Sequence, residues 1–584
     1  MSALPSRVLY VDLARRRFRV EERPELFRER LGGVGVAIKL LSEECPRGAD
    51  PLGPDNVVVF AVGPLTGVLP AMSKAVSLFK SPLTKNLGES HAGGRCAVAI
   101  RSAGYGAIVI KGSSPTPVYL VIDRSGVKFR DASGLWGVAS SFTVGRVVRE
   151  REPGAGLRTI MRIGRAGERL VAYASVITET YRHFGRHGLG AVLGSKRVKA
   201  IVVYGDQTAR VGDAAKYREL YGRVFREMVG SALMKKYHDL GTAANVLPLN
   251  AMGALPTKNL TQRGFEGAEK ISGELLAENY LGRRLACAHC PVACIHLAIL
   301  REPYVDEPYF YKTTFVSYDY ELIYALGSMI GVSDAHSLLR LIHKVDSLGL
   351  DAISTGVALA WATEAYERGV VSSSDLMGLE LKWGDGEAYL KAIDYIVDQP
   401  NDFYSSLARG VEEAASRYGG ADFALSFGGL EMPGYQTGPA AYAGLLTGAR
   451  HSHLDSAGYS LDQKMLRGEF KGEPRAVAEW LLSEEAWRQV LCSLVACLFA
   501  REVYRPAIVS EALALLGLEA SPGQLQELGM EVLRDKHRFK RREGFDPDRL
   551  RVPRRVVEAP TALGFVTEEW LREAVRHYFN LLGL

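Results

Sequence analysis

No apolar run in this chain approaches the ~18 residues needed to span a bilayer. Residues 1–20 lack the apolar core and small-residue cleavage pattern of a secretory leader. Both absences point to a soluble, cytoplasmic protein with no membrane partner. Charge of one sign is scarce as well: 72 Lys and Arg stand against 66 Asp and Glu, a net charge of +6 with no long basic stripe. That balance argues against a nucleic-acid partner and leaves a small surplus for docking an acidic protein. The densest basic run, Arg534 to Arg542 with Lys536, Lys540 and Arg541 inside it, reads as a solvated helix face. Phosphate-loop fingerprints are missing. No GxGxxG occurs, and Lys196 follows Ser195 in the reverse of the Walker order. Cysteine is sparse at 7 in 584 residues. In a reducing compartment these read as ligands or buried apolar groups rather than disulfides, with Cys45 and Cys96 structural. There is no internal repeat and no low-complexity segment.

What is present is enough apolar residue, 47%, to bury a large core, and enough length for two to four domains. The first ~205 residues are rich in strand patterns. Val8–Asp12, Phe18–Val20, Val57–Val62, Ala107–Lys111 and Ala200–Tyr204 are short apolar runs ended by turn residues. Val118–Ile122 and Val127–Phe129, joined by Asp123-Arg-Ser-Gly126, predict a hairpin. A helix is predicted over Leu26–Glu44. After Gly212 the period becomes helical. Leu220, Tyr221, Val224, Phe225 and Met228 share a face, and a helix from about Ser333 carries Leu338, Leu341, Ile342, Val345 and Leu348 until Gly349 stops it. Another runs on to Gly369, and Ala476–Phe499 is again helical. The Gly/Pro-rich stretch Phe427–Pro439 is a candidate boundary. The expected class is α+β: a β-rich domain over 1–208, a helical domain over 209–418 and a helical C-terminal domain over 419–584.

Cys287, Cys290 and Cys294 stand at C-x2-C-x3-C, with Cys492 and Cys497 about two hundred residues later. Pro291 occupies the place where c-type haem attachment needs His. Two readings remain. A structural zinc would use thiols with His289 or His296, whereas a [4Fe–4S] cluster would take the trio and a remote fourth thiol. A compact trio with distant thiols favours iron–sulfur. Spacing does not choose between Cys492 and Cys497. Glycines in Thr84–Gly94 and Arg182–Gly194 allow close backbone approach to a bound group, and Arg182 and Arg186 are suited to phosphate. Ordinary tight turns explain the same glycines. Asp346 sits in the last turn of a predicted helix, where its charge opposes the dipole. It reads either as an exposed residue near a C-cap or as an acceptor for a ligand's N–H groups.

Together these motifs resemble the tungsten-dependent aldehyde:ferredoxin oxidoreductase family along nearly the whole chain. The resemblance rests on Gly63-Pro-Leu-Thr-Gly67, Lys80-Ser-Pro-Leu-Thr84, Ala103-Gly-Tyr-Gly-Ala-Ile108, Arg182-x-x-Gly-Arg186, Gly190-Ala-Val-Leu-Gly-Ser-Lys196, the cysteine trio, Asp346-x-x-Gly-Leu-Asp351 and Arg542-Glu-Gly-Phe545. It implies a tungsten, or molybdenum, bis-molybdopterin cofactor on the β-rich domain, one [4Fe–4S] cluster beside a pterin, two mainly helical domains above, and a Mg ion as a candidate bridge between pterin phosphates. The implied cluster ligands are Cys287, Cys290, Cys294 and Cys497. The last is preferred because Ser493-Leu-Val-Ala-Cys-Leu-Phe499 matches the family segment. Lys74, His91, Gly93, Arg182, His183 and Gly185 fall where the family touches its pterins, as do Asp346, Leu350 and Asp351. Cys492 stands where the family has Asp, Lys74 where it has Arg, and His91 where it has Asn. The segment Tyr435-Gln-Thr-Gly-Pro439 lacks the family's Asp-Pro-Arg.

The implied catalytic residues are Glu321, to activate water or take a proton, and His453, to polarise the aldehyde carbonyl, with His451 a nearby competitor. The implied reaction oxidises a small aldehyde to a carboxylate and hands electrons through the cluster to ferredoxin. The alternatives are a reductive reaction on a carboxylate or aromatic acyl thioester, and a zinc-stabilised binding protein without redox activity. A homodimer is compatible with the resemblance. Arg340 stands where an acidic ligand for a subunit-bridging iron is sought, so no such iron is expected.

Overall fold

The computed structural model describes residues 4–209, 211–307 and 309–584. Its first third is two stacked six-stranded sheets. One contains β1 (Arg7–Asp12), β2 (Arg17–Glu22), β3 (Val58–Ala61), β4 (Ala75–Lys80), β5 (Leu87–Ala92) and β6 (Ala107–Lys111) in the order β2-β1-β6-β3-β4-β5. The other contains β7 (Val118–Asp123), β8 (Gly126–Asp131), β9 (Thr159–Ile163), β10 (Val176–Ile177), β11 (His183–Phe184) and β12 (Val198–Val203) in the order β11-β10-β9-β12-β7-β8. Only the β1–β6 and β7–β12 pairs are parallel. The β7–β8 hairpin forms because Asp123 accepts the Ser125 N–H at 2.8 Å and Gly126 takes a φ of 132° that other residues avoid.

Side-chain alternation explains the stacking. Leu9, Val11, Val58, Phe60, Ile108 and Ile110 face Leu120, Ile122, Met161, Ile163, Ile201 and Val203 across one shared core. The intervening residues Val8, Tyr10, Val59, Ala61, Ala107 and Val109 face the opposite way. They are covered by the helix Gly33–Glu44 and by Val532 and Phe539 of the C-terminal helix Pro522–Arg542. The remainder is mainly helical, as the α+β expectation requires. The helices Ala335–Leu348, Ala352–Glu367, Pro474–Ser493 and Glu568–Leu582 share a single apolar core. Among the described residues no single helix is long and apolar enough to cross a membrane. The bent pair Tyr320–Ile330 and Ala335–Leu348 passes that test by composition alone, and its apolar residues are spent on the core.

Several expectations need correction. The helix over Leu26–Glu44 is two helices, Pro24–Arg30 and Gly33–Glu44. The break arises at Leu31, with φ 63°, and at Gly33, with φ 41°. A Cβ on Gly33 would lie 2.2 Å from the Cys492 carbonyl oxygen, so the chain turns where another segment presses on it. The helix expected to reach Phe499 ends at Ser493, which leaves Cys497 in the following turn. The cysteine trio is not set among helices. It occupies the connection between Leu281–Leu285 and Ile295–Pro303, the first two strands of a three-stranded antiparallel sheet completed by Tyr311–Tyr318. The basic run is a solvated face only in part: Arg538 and Arg541 are exposed, but Lys536 and Lys540 are fully buried.

Phe60 is fully buried between the two sheets, edge-to-face with Phe184 at 5.4 Å. Phe60→Ala should lower stability by about 3–5 kcal/mol, read from the midpoint of urea unfolding. A loss below about 1 kcal/mol would show that the sheets do not depend on this contact.

Candidate active site

A cavity of about 340 Å³ lies where the first sheet, the β10–β11 segment and the helical part meet. Its wall gathers Lys74, His91, Arg182, His183, Gly185, Glu321, Asp346, Leu350, Asp351, His453, Cys492, Cys294 and Cys497. Gly93, Cys287 and Cys290, also singled out from the sequence, are not in that wall. Gly93 lies directly behind it, where a Cβ would be 2.8 Å from the Cys287 Sγ.

The thiols meet because three segments are tied together by backbone bonds. Ala288 N–H donates to Gly94 O at 2.9 Å, Ala71 N–H to His289 O at 3.0 Å, and Cys497 N–H to Ala71 O at 2.9 Å. Burial, then the Cys497 and Cys287 thiols, push Cys294 up to about 12. Burial and the same neighbours push Cys290 up to about 12. Four thiols this close repel as anions, so ionising them together needs positive charge among them. No three His, Cys, Asp or Glu side chains among the described residues are arranged to hold a single ion. Cys45 is buried in an apolar core, whereas Cys96 is buried near enough to Cys287 that this thiol helps raise its pKa, after burial and Glu179.

The floor is charged. Glu89, on β5, is fully buried and touches Lys536 Nζ at 2.5 Å, His91 Nε2 at 2.7 Å and Arg450 Nε at 3.6 Å. Burial works against its charge, but Lys536 and Arg450 outweigh it and hold the carboxyl well below the usual range. His91 is pushed down to about 4, chiefly by burial, and is neutral. Arg450 is fixed by Asp455, which accepts its Nε–H at 2.6 Å and its N–H at 3.0 Å. Cys492 is buried beside these groups, which raises its thiol pKa despite the nearby Arg450.

One side is a row of basic side chains set against carboxylates. Arg182 meets Asp319 at 3.8 Å, His183 meets Asp346 at 3.2 Å, and Arg186 meets Asp351 at 3.0 Å. Asp346 is therefore not an exposed residue near a C-cap: only 4% of it is accessible and it faces the cavity. Gly349, with φ 77°, turns the chain there, and Asp351 then caps the next helix by accepting Ile353 N–H at 3.0 Å. Arg186 also donates to Glu431 O at 2.7 Å, which leaves one buried Nη without a partner.

Glu321 and His453 face each other, with Oε1 and Nε2 at 3.5 Å. Glu321 begins a helix capped by Asp319 and accepts the Gly434 N–H at 3.1 Å. Burial pushes its carboxyl up to about 8, against the pull of that N–H and of Arg186. Burial, then Arg186 and Arg450, push His453 down to about 3. Its ring is 5.0 Å from Tyr435, which stacks on Tyr459 at 4.3 Å. His451 is elsewhere: its Nε2 contacts Lys540 at 2.8 Å in the core.

Glu89, Arg450, Asp319 and Tyr435 were not singled out from the sequence. The Lys536/Lys540 spacing, with Phe539 between, was the available hint of an inward charged face. Arg340, outside the cavity, is tied to Glu302 at 3.0 Å and also to Glu387.

The comparisons agree with this architecture. Residues 8–205 match the model of the aldehyde ferredoxin oxidoreductase N-terminal domain, and residues 219–584 that of the family's domains 2 and 3. The chain is 33% identical to the tungsten-containing aldehyde ferredoxin oxidoreductase of Thermococcus kodakarensis and 32% identical to that of Pyrococcus furiosus, in each case across 99% of this chain and 96% of the relative. Across 71% of its length it is 30% identical to the WOR-like subunit of an aliphatic sulfonate oxidoreductase of Pyrococcus furiosus, covering 67% of that protein. Among solved structures it is similar to the active site complex BamBC of benzoyl coenzyme A reductase, with a TM-score of 0.84 over 100% of this chain and 95% of that one. At 22% identity that likeness is one of fold. Two stacked sheets, a helical remainder and relatives matched end to end converge on one conclusion: the chain belongs to the aldehyde ferredoxin oxidoreductase family.

Proposed function

We propose that this chain is a tungsten or molybdenum bis-pterin oxidoreductase that oxidises an aldehyde to a carboxylate and passes the electrons through a [4Fe–4S] cluster to ferredoxin. The observation that carries this reading is a single cavity whose wall holds both the Cys294/Cys497 thiols and the facing Glu321–His453 pair. The donor set suits the implied groups. Cys287, Cys290, Cys294 and Cys497 are thiols without the single-ion geometry of a zinc site, and a cuboidal cluster takes four such ligands. Lys74 and Arg182 offer positive charge for the phosphates of two pterins, directly or through a Mg ion. Asp346 and Asp351 offer acceptors for heterocyclic N–H groups. The unpartnered Arg186 Nη is a donor awaiting an acceptor. His91, Gly93, His183, Gly185, Leu350 and Cys492 complete the pterin surface in this reading.

When bound, the dithiolene-held metal supplies the oxidation and the cluster carries the electrons away singly. The aldehyde gains one oxygen from water and gives up two electrons, and three protons are released, the third on ionisation of the acid to the carboxylate. The chain's share is to place and move those protons. Glu321 holds its proton below about pH 8 and is a base above it, able to take a proton from water or from the aldehyde carbon. His453 is neutral throughout that range, and one ring N–H donates to the carbonyl oxygen. Tyr435 and Tyr459 hold the imidazole in place and keep bulk water from it. A protonated Glu321 also favours a second reading, in which the same acid delivers a proton during reduction of a carboxylate or aromatic acyl thioester. Elemental analysis for tungsten, molybdenum and iron, with turnover assayed on aldehyde plus oxidised viologen and on acyl thioester plus reduced viologen, separates the two readings.

Glu321→Gln should reduce kcat/KM by ~10²–10⁴ with metal and iron content unchanged. In the wild type kcat/KM should rise with pH and level off above about 8, as the carboxylate forms, and the variant should lose this limb. Full turnover in the variant would remove Glu321 from the mechanism. Cys497→Ala should lose most of the iron and acid-labile sulfide, together with the brown absorbance that dithionite bleaches. Cys45→Ala, in a separate apolar core, should retain them.

A further inference from the structure

His453 is the first residue of a helix only 4 residues long, His453–Ser456. The preceding helix, Pro439–Thr447, ends at Gly448, and the chain turns through Ala449–Ser452 between the two. The turn is tight. His451 N–H donates to Gly448 O at 3.0 Å, and His451 has a φ of 53°. A Cβ on Gly448 would lie 2.4 Å from Asp455 Oδ2, so only glycine fits there. Asp455 fixes the inner side of the turn by accepting the N–H groups of Arg450 and Ser452, each at 3.0 Å. A connection this short is placed by the scaffold around it.

The outer side is held by three helices of the C-terminal part. Glu485, on Pro474–Ser493, accepts Ala449 N–H at 2.9 Å with one oxygen. Its other oxygen accepts the hydroxyl of Tyr578, on Glu568–Leu582, at 2.6 Å. Arg488, on the same helix as Glu485, donates to Leu454 O at 2.9 Å. Lys540, on Pro522–Arg542, meets His451 Nε2 at 2.8 Å. Glu485 and Tyr578 are fully buried, and neither lines the cavity.

Stability alone does not account for Glu485. Its buried neighbours on the helix, Leu481, Leu482 and Ala486, are apolar. A carboxylate among them is unfavourable, and a second one, Asp455, opposes its charge. Burial, then Asp455, push the Glu485 carboxyl above the usual range. What the carboxyl does achieve is to join Tyr578 to the backbone of the turn that carries Arg450 and His453. We infer that Glu485, braced by Tyr578, is a positioning residue: by holding Ala449 it sets where the His453 imidazole faces Glu321. The inference rests on the proposed role of His453. A displacement of ~1 Å at a reacting group can cost ~10² in rate.

Two substitutions separate position from charge, assayed on the holoenzyme with acetaldehyde and oxidised viologen. Glu485→Gln keeps an oxygen for Ala449 N–H and an N–H for the Tyr578 oxygen, so kcat should stay within about threefold of wild type. Glu485→Met offers neither. Its kcat should fall ~10²-fold with KM nearly unchanged and with tungsten or molybdenum and iron retained. Tyr578→Phe, which leaves Glu485 in place without its brace, should fall between the two. Amide hydrogen exchange reads the same effect without turnover. Residues 449–452 should exchange about tenfold faster in Glu485→Met, and at the wild-type rate in Glu485→Gln. A metal-loaded Glu485→Met enzyme with wild-type kcat overturns the inference. So does a Glu485→Gln enzyme as slow as Glu485→Met, because charge rather than position would then be responsible. Should Glu485→Met not fold, wild-type kcat and exchange in Tyr578→Phe overturn it equally. Undiminished turnover in His453→Ala is a different outcome: it removes the role of His453 itself, and this inference with it.

Discussion

The buried carboxylate of Glu89 holds this molecule together across long sequence distances. It projects from β5, in the N-terminal sheet, and is met by Lys536 from the C-terminal helix and Arg450 from the loop before Asp455. Ionic groups at zero exposure are costly unless every one is paired. Here the pairing is extended: Lys536 also contacts the Gln489 side chain, and Asp455 takes up the remaining charge of Arg450. Removing any one member would strand a charge in the interior, which generally costs 3–5 kcal/mol. Three segments from the first sheet and from two distant parts of the C-terminal region are thereby committed to one arrangement, and that arrangement sets the floor of the cavity.

The cavity is divided electrostatically. Its floor and side carry fixed charges that are matched pairwise, from Glu89 to Arg186 with Asp351. At the Glu321–His453 pair both groups are driven neutral by burial, one upward and the other downward. A charged pair there would have strengthened the contact and fixed the proton on His453. Burial instead leaves the proton on Glu321, within reach of a small change in surroundings. Groups with displaced ionisation inside a cleft are what proton transfer requires. The geometry thus places rigid charge where a large anionic cofactor would need anchoring and soft protonation where chemistry would need movement.

Local signals were readable and cross-chain contacts were not. The short apolar runs of the first sheet and the turn at Gly349 are short-range patterns, and the strands and the turn appear where those residues suggested. The helix break at Leu31–Gly33 had a local signal in the Gly32-Gly33 pair, but the reason glycine is needed there, the Cys492 carbonyl pressed against Gly33, lies far away in sequence. The burial of Lys536 and Lys540 is likewise dictated by Glu89 and His451, which lie far away in sequence. The sheet around the cysteine trio was hidden for a different reason. Arg283, Arg284, Arg301 and Lys312 interrupt its apolar alternation, because one face of that sheet remains open to solvent.

That same sheet keeps two features apart. The strand Ile295–Pro303 has 9 residues, a length of roughly 27–30 Å at the usual strand rise. Cys294 precedes its first residue, and the exposed aromatic tip follows its last. The loop bearing the trio is thus held at one end of a stiff strand while the apolar patch is displayed at the other. His289 stands at the surface of that loop, and the solvent-open face that obscured the strands in the sequence runs between the two ends, so a change at the tip reaches the thiols only along the strand itself.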